Sequence, residues 1–346
     1  MIINSDRQYQ LLERIRKILI LNGSFYSNPG IINGKLGIAV YFYYLSNALS
    51  KNKNIDIADT FLSEITSLSN NPQLSFTDGL TGIGYGISYL NKTGYIKLDT
   101  NTFLTNADPI VFNMVINSIP SNLDWMISAA EYLLARIKDN KISSEKYLVC
   151  CELLILLTEK IELFYYTELK KYSKFGLEYL VCISRICEVL FQLDKYKINK
   201  NRANSILSLI KSDFSLLANQ QITLSGLYAL GLFIFVMQSF NHPIKVGQIV
   251  VNDIKISCTD NYLYNLRLLS IYIILNSRSK KVFDSFLDEN QLLTISDLTE
   301  HSLNVVLKHN NYIAIGLQGI SGLGLLILDT VNVPISKELI QKIAIY

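Results

Sequence analysis

Apolar and polar residues alternate along this chain with the period of α-helices. In residues 6–21 the apolar positions Leu11, Ile15 and Leu19 are four residues apart, which places them on one face of an amphipathic helix. A loop rich in asparagine, glycine, serine and proline follows, and residues 36–49 are then nearly all apolar. The beginning of the chain therefore predicts an amphipathic helix paired with an apolar one.

The same alternation recurs along the rest of the chain and gives seven pairs in all. The further pairs are 55–68 with 81–90, 102–116 with 124–134, 145–164 with 176–191, 203–217 with 224–237, 244–254 with 262–275, and 283–307 with 320–328. Helices with one apolar face lie at the surface, whereas helices that are apolar all round are buried. The pattern predicts an all-α fold, an α/α toroid of about seven inner and seven outer helices, in a single domain over residues 1–346.

Four glycines are crowded into the segment TDGLTGIGYGISYL, residues 77–90, at the start of a predicted inner helix. A phosphate-binding loop is one explanation, but no strand precedes the segment and no Gly-Lys-Ser/Thr ending follows it. Glycine pairs three residues apart recur at other inner-helix starts, and a residue without a Cβ lets two backbones approach closely. We therefore predict close helix–helix contacts at these glycines, which are Gly34, Gly37, Gly79, Gly82, Gly319 and Gly322.

Charge and composition exclude several classes of protein. The chain has 32 basic and 29 acidic residues. The basic residues form no block along the sequence, so nucleic-acid binding is not expected. Hydrophobic residues make up 49% of the chain, yet charged residues interrupt the apolar runs, and we expect no transmembrane segment. The N-terminal segment carries charges where a signal peptide has an apolar core, and the five cysteines form no secreted disulfide framework. A cytoplasmic location is predicted.

Three segments of the chain carry a family resemblance, and they are NGKLGIAVYFYYLS (33–46), FTDGLTGIGYGISYL (76–90) and GLQGISGLGLLIL (316–328). They resemble segments of the lanthionine synthetase C family, the cyclases of class I lantibiotic biosynthesis. The order and spacing of weaker repeats extend the resemblance over nearly the whole chain. It implies a toroid of seven helix pairs and the addition of a zinc-bound peptide thiolate to a dehydroamino acid. Two cysteines and one histidine hold the zinc in that family, and a further histidine and an aspartate handle protons.

Matched residue by residue, the chain departs from the family at most of these positions. Gly226 stands where the family has its first zinc cysteine, and Thr259 follows Cys258 where the family has a histidine. Tyr179 replaces the proton-handling histidine, and Asp124 matches the aspartate. The resemblance thus implies vestigial or cavity-lining roles for these five residues and no confident catalytic residue. One thiolate does not hold a catalytic zinc, so we predict no metal and no cofactor, or zinc if the family site is retained in another form.

The three histidines, the remaining cysteines and several aromatic residues are further candidates, and only the aromatic residues leave two interpretations open. The three histidines are expected at the surface, and cysteines without a metal-binding spacing are expected in the core. Aromatic residues near the predicted inner-helix starts either pack in the core or line a cavity that grips a peptide. The residues concerned are His242, His301 and His309; Cys150, Cys151, Cys182 and Cys187; and Trp125, Tyr132, Tyr179, Tyr228, Tyr262 and Tyr264.

Three hypotheses for function follow. The first is a lanthionine synthetase C-like protein of lanthipeptide modification, a zinc-free degenerate cyclase that binds a precursor peptide and a partner such as a lantibiotic dehydratase or transporter. The second is an active zinc-dependent peptide cyclase. The third is an α/α-toroid carbohydrate-active enzyme with paired carboxylates, for which the candidates are Asp78, Asp124 and Glu178.

Overall fold

The structure is a computed structural model, and the residues that it describes are helical or connect helices. They are 5–49, 52–68, 74–117, 122–139, 142–169, 177–215, and 316–346 apart from 332 and 334, with single residues at 230, 232, 233, 236, 237 and 304. No strand occurs among these residues, so the predicted all-α class is confirmed for this part of the chain. The helices are α1 Ser5–Gly23, α2 Lys35–Leu49, α3 Asn52–Leu68, α4 Leu80–Lys92, α5 Thr100–Phe103, α6 Ala107–Asn117, α7 Leu123–Ile137, α8 Ser144–Thr167, α9 Leu177–Lys195, α10 Lys200–Ser215, α11 Ile320–Thr330 and α12 Lys337–Ile345.

Two differences from the predicted helices have a local cause. The predicted helix 102–116 is divided into α5 and α6, because Pro109 in the first turn of α6 cannot continue a helix from the preceding turn. The apolar pattern does not predict α12, which Ser336 caps by accepting a hydrogen bond from the Leu339 amide at 3.1 Å. The predicted helices 224–237, 244–254, 262–275 and 283–307 lie outside the continuous ranges that the structure describes.

Contacts between residues divide the chain into two compact units, residues 1–83 with 255–346, and residues 84–254. In the first unit α2 packs against α3, and α11 packs against both α1 and α2. In the second unit α7 packs against α8 and α9, α6 packs against α8, and α9 packs against α10. The single domain over residues 1–346 stays a prediction.

Two glycines that were not among the predicted contact glycines lie where one helix meets another. In the first unit Gly324 of α11 faces the Tyr41 ring of α2, and a Cβ on this glycine would lie 2.3 Å from the ring. In the second unit Gly84 of α4 faces the Tyr132 ring of α7 in the same way, again at 2.3 Å. A missing side chain in one helix thus makes a notch for a buried tyrosine ring of the next.

The predicted contact glycines approach loops instead of neighbouring helices. Gly82 and Gly322 are each the third residue of their helix, and a Cβ on either would lie 1.8 Å from a carbonyl oxygen of the loop that leads into that helix. Gly37 has the same position in α2, and its Cβ would lie 2.4 Å from a carbonyl oxygen of the preceding loop. Because no Cβ is present, each loop folds back over the first turn of its own helix.

The C-terminal helix α12 covers the loop before α4 in the first unit. The ring of Tyr346 stacks on the ring of Phe76, with their centroids 4.5 Å apart. Lys342 Nζ lies 5.8 Å from the centroid of the same Phe76 ring. Phe76 is buried, so this aromatic and cation–π contact anchors the loop under α12.

A buried carboxylate joins three helices of the second unit. Asp108 of α6 accepts hydrogen bonds from Tyr132 Oη at 2.6 Å, Arg136 Nε at 3.0 Å and Lys146 Nζ at 2.9 Å. The side chains of Asp108 and Arg136 are only 2% and 1% exposed. Burial alone would raise the pKa of Asp108, but the hydrogen bonds from the three donors lower that pKa below its ordinary value. The network therefore favours the charged carboxylate and ties α6 to α7 and α8.

We expect Asp108→Asn to lower the free energy of unfolding by about 3 kcal/mol at pH 7, because it leaves the buried Arg136 guanidinium with only the Asp139 carboxylate, 3.6 Å from its Nη1, as a countercharge. Urea unfolding followed by circular dichroism measures this change. Glu152→Gln, at an exposed position of α8, is the matched control and should change the stability by less than about 0.5 kcal/mol.

The stability deficit of Asp108→Asn should also depend on pH. The pKa of Asp108 is lower in the folded chain than its ordinary value of 3.8, so its contribution is fully present above that pH and is lost as the pH falls through the lower, folded value. The difference between wild type and variant should therefore shrink in acid. A deficit that stays constant between neutral pH and strong acid would contradict this assignment.

Candidate functional site

Three loops at helix starts come together in the first unit, and each of the three motif segments noted in the sequence begins in one of them. Each loop leads directly into a helix whose third residue is one of the glycines described above. The loops are loop A (residues 28–34, before α2), loop B (residues 74–79, before α4) and loop C (residues 316–319, before α11).

Backbone hydrogen bonds join loop A to each of the other two loops. The Ile32 amide donates to the Thr77 carbonyl of loop B at 3.1 Å. The Leu317 and Gln318 amides of loop C donate to the Ile31 and Ile32 carbonyls of loop A at 3.3 and 3.0 Å. Loop A therefore lies between loop B and loop C, and segments distant in the sequence share one hydrogen-bonded arrangement.

Glycines permit the approach of these loops. A Cβ on Gly30 of loop A would lie 2.4 Å from the Thr77 carbonyl oxygen, and one on Gly316 of loop C would lie 2.2 Å from the Ile32 carbonyl oxygen. These two glycines were not among the predicted contact glycines. Gly34, which was one of them, is packed within loop A itself, against backbone atoms of residues 28 and 30.

The remaining predicted contact glycines close turns at the ends of their loops. The Gly79 amide donates to the Ser75 carbonyl at 3.0 Å, at the end of loop B. The Gly319 amide donates to the Gly316 carbonyl at 2.9 Å, and Gly319 is the residue that precedes α11. Their role in the structure is to direct the chain into α4 and α11.

The carboxylate of Asp78 binds loop A to loop B through side chains. Asn28 Nδ2 donates to Asp78 Oδ1 at 2.6 Å, and Asn33 Nδ2 donates to Asp78 Oδ2 at 3.4 Å. Thr77 Oγ1 also donates to Asp78 Oδ2, at 3.0 Å. Both oxygens of this candidate catalytic carboxylate are thus occupied in holding the loops. The sequence analysis missed the two asparagines, and the signal that marks them is their place in an Asn-Pro-Gly turn and an Asn-Gly turn.

Asp124 lies in the first turn of α7 in the second unit and forms an ion pair with Arg185 of α9. The Asp124 side chain is 81% exposed, whereas the Arg185 side chain is 9% exposed. An acidic residue in a first turn also interacts favourably with the helix dipole. The contacts of Asp124 are therefore those of a residue that connects the start of α7 to α9. Sequence reasoning missed Arg185, although an arginine inside the apolar segment of α9 indicates that its charge is paired with an acidic side chain.

Tyr179 is buried in α9, and burial, with a contribution from the Asp213 charge, raises its pKa to about 12. A phenol with this pKa keeps its proton at neutral pH, so it cannot exchange protons as a histidine does. The Asp213 carboxylate itself accepts a hydrogen bond from Tyr165 Oη at 2.6 Å. Tyr132 is likewise buried, whereas Trp125 is partly exposed.

Three of the described cysteines have a raised pKa, so their thiols keep their protons at neutral pH. Burial raises the pKa of Cys150 to about 12 and also raises the pKa of Cys187. Burial raises the pKa of Cys151 as well, against a hydrogen bond with Tyr147 that lowers it. Cys150 and Cys187 are buried as predicted, whereas Cys151 and Cys182 are partly exposed. Because thiolates are the metal ligands and nucleophiles, the three raised pKa values favour a packing role for these thiols.

Several predicted site residues lie outside the residues that the structure describes. Within the described ranges, no three histidine, cysteine, aspartate or glutamate side chains form a group that could hold a metal ion. None of the helices in those ranges is long and apolar enough to cross a membrane. The predicted residues that lie outside are Gly226, Cys258, Thr259, His242, His301, His309, Tyr228, Tyr262 and Tyr264, and the side chain of Glu178.

A scan against protein-family models matches no family, and searches of curated proteins and of solved structures find no match. The resemblance drawn from the three motif segments therefore stays a prediction.

We expect Asp78→Ala to loosen loop A from loop B without unfolding the unit. The Ile32 and Asn33 amides both donate to the Thr77 carbonyl, and their hydrogen exchange should become about tenfold faster once the charged acceptor of Asn28 and Asn33 is lost. Hydrogen exchange followed by mass spectrometry measures this change on peptides that cover loop A.

Asp124→Ala is the matched control, because it removes a carboxylate from the second unit and should leave exchange in loop A unchanged. Protection of loop A that is the same in Asp78→Ala and in wild type would mean that the Asp78 carboxylate does not hold the loops together.

Proposed function

We propose that this chain is a lanthionine synthetase C-like α/α toroid that binds a peptide of the lanthipeptide class without carrying out the zinc-dependent addition. The observation that carries the proposal is the meeting of the three motif loops, each at the start of a buried helix. These are the segments on which the resemblance to the cyclase family rests.

The contacts of α11 support a closed ring of helix pairs. In a ring, the last inner helix must meet the first one. Gly324 of α11 receives the Tyr41 ring of α2, as Gly84 of α4 receives the Tyr132 ring of α7. The same notch therefore recurs between α4 and α7, which the sequence predicts as successive inner helices, and between the last described motif helix and the first.

A buried amide in loop C supports peptide binding near these loops. Gln318 is 8% exposed, and its Nε2 atom has no hydrogen-bond acceptor among the described residues. A buried donor without an acceptor is costly, and a peptide carbonyl is an acceptor of the right kind.

The donor set does not fit a catalytic zinc. Gly226 and Thr259 provide neither a thiol nor an imidazole, which leaves Cys258 as the single family ligand present. Tyr179, at the position of the proton-handling histidine, has a pKa of about 12 and keeps its proton. The proposed role of this chain is therefore binding.

The paired-carboxylate alternative receives no support from the observed contacts. Both oxygens of Asp78 accept hydrogen bonds from Asn28, Asn33 and Thr77, and the carboxylate of Asp124 is paired with Arg185. A general acid or nucleophile of a glycosidase needs a carboxyl group that is open to the sugar.

Peptide binding is tested with a fluorescein-labelled peptide that contains one dehydroalanine and one cysteine. We expect saturable binding in fluorescence anisotropy, and we expect the peptide thiol to remain alkylatable at the same rate as without protein, with or without added zinc. Gln318→Ala should weaken binding by about fivefold, which corresponds to the loss of one hydrogen bond. Gln10→Ala, at an exposed position of α1, is the matched control.

Failure of the peptide to bind would contradict the proposal. Thiol loss that needs both the protein and zinc, and that a chelator stops, would identify the chain as an active cyclase instead.

The lost zinc site is tested by restoring its ligands. We expect the double variant Gly226→Cys with Thr259→His to bind close to one zinc per chain, because Cys258 then has the thiol and imidazole partners of the family. Mass spectrometry of the metal content after gel filtration measures this. Adding Cys258→Ala to the double variant should abolish the gain, and tight binding of one zinc per chain by the wild type would contradict the degenerate site.

A further inference from the structure

A stripe of apolar and acidic side chains runs along the exposed face of α8. Successive members are three or four residues apart, so they share one side of the helix over about 27 Å. Leu148 is 61% exposed, Ile155 40%, Leu163 49% and Tyr166 43%. We call this set the α8 stripe, and its members are Leu148, Glu152, Ile155, Glu159, Leu163 and Tyr166.

The stripe belongs to a helix whose other sides are already packed. α8 contacts α6, α7, α9 and α10, and its residues Cys150, Leu154, Leu157 and Ile161 are buried. Single exposed apolar side chains are ordinary, but four large ones along one face of one helix, separated only by Glu152 and Glu159, are not.

The neighbouring helix α6 widens this apolar surface. Lys160 of α8 donates to the carbonyl oxygens of Val115 and Ile116 at 2.6 and 3.4 Å, which places the end of α6 beside the stripe. The Ile116 side chain there is 57% exposed. The patch is thus wider than one helix and offers a shallow apolar surface for a second helix to pack on.

The charges on the stripe decide what kind of helix it fits. Glu152 is exposed and makes no ion pair or hydrogen bond among the described residues, whereas Glu159 and the adjacent Glu162 share Arg202 of α10. Both lysines of α8 are used within the unit, Lys146 on Asp108 and Lys160 on the end of α6. The surface therefore has an excess of negative charge between its apolar residues.

We propose that the α8 stripe is a docking surface for an amphipathic helix of a partner protein, with lysine or arginine one turn away from its apolar residues. A second copy of this chain fits less well, because two stripes face to face place glutamates against glutamates. An anionic lipid surface is disfavoured by the same charges. Docking here does not depend on peptide binding at loops A to C.

The test uses two synthetic amphipathic helices of about 18 residues, the length of the stripe at 1.5 Å per residue. Both carry leucines three and four residues apart, and they differ only in having lysine or glutamate beside these leucines. Fluorescence anisotropy with the full chain should give clear binding of the lysine peptide and little binding of the glutamate peptide.

Variants at exposed positions locate the binding without disturbing the core. Leu148→Ser with Leu163→Ser should weaken binding of the lysine peptide by about tenfold or more. Leu21→Ser with Phe25→Ser removes two exposed apolar residues of the first unit, 69% and 90% exposed, and should have no effect. Glu152→Lys should weaken the lysine peptide by about fivefold and strengthen the glutamate peptide.

Four results would overturn the proposal. They are binding of both peptides alike, binding that survives Leu148→Ser with Leu163→Ser, a wild-type dimer in sedimentation that this double variant dissociates, and flotation on phosphatidylcholine vesicles that this double variant abolishes. The third result would assign the stripe to a second copy of the chain, and the fourth to a membrane surface.

Discussion

Backbone hydrogen bonding between loops A, B and C is the constraint on which the first unit depends. At Gly30 and Gly316 the backbones of two loops come closer than a Cβ would allow, which is why glycine stands at these two contacts. Gly37, Gly82 and Gly322 then let each loop turn back over its helix. Parts of the chain that are distant in sequence are thereby held in one place at the starts of α2, α4 and α11.

In the second unit, hydrogen bonds between side chains join the helices, whereas in the first unit hydrogen bonds between backbone groups join the loops. Asp108 gathers donors from α7 and α8, and the hydrogen bonds that it accepts keep it charged in spite of burial. Buried carboxylates are costly unless they are fully satisfied, and this one has several donors. In the first unit the carboxylate of Asp78 plays a comparable part at a loop junction, with asparagine amides as donors.

The sequence was sufficient to predict helices and the burial of α2 and α7, because the spacing of apolar residues indicates which faces of a helix are buried. It also pointed to the motif glycines, but not to what they touch. Whether a missing Cβ makes room for a helix or for a loop depends on the path of the chain, which spacing alone does not contain. Arg185 and Asn28 were missed for the same reason, since their partners are 61 and 50 residues away.

The packing of α11 on α1 and α2 also has a consequence for folding during synthesis on the ribosome. Loop C, which completes the hydrogen bonds of loop A, is made nearly 300 residues after it. Until α11 is synthesised, the side of α2 that packs against Gly324 and its neighbours lacks its native partner. Translation proceeds at about 5–20 residues per second, so this interval is long. The nascent chain therefore exposes this apolar side of α2 for many seconds, and chaperones that bind exposed apolar helices are expected to bind it.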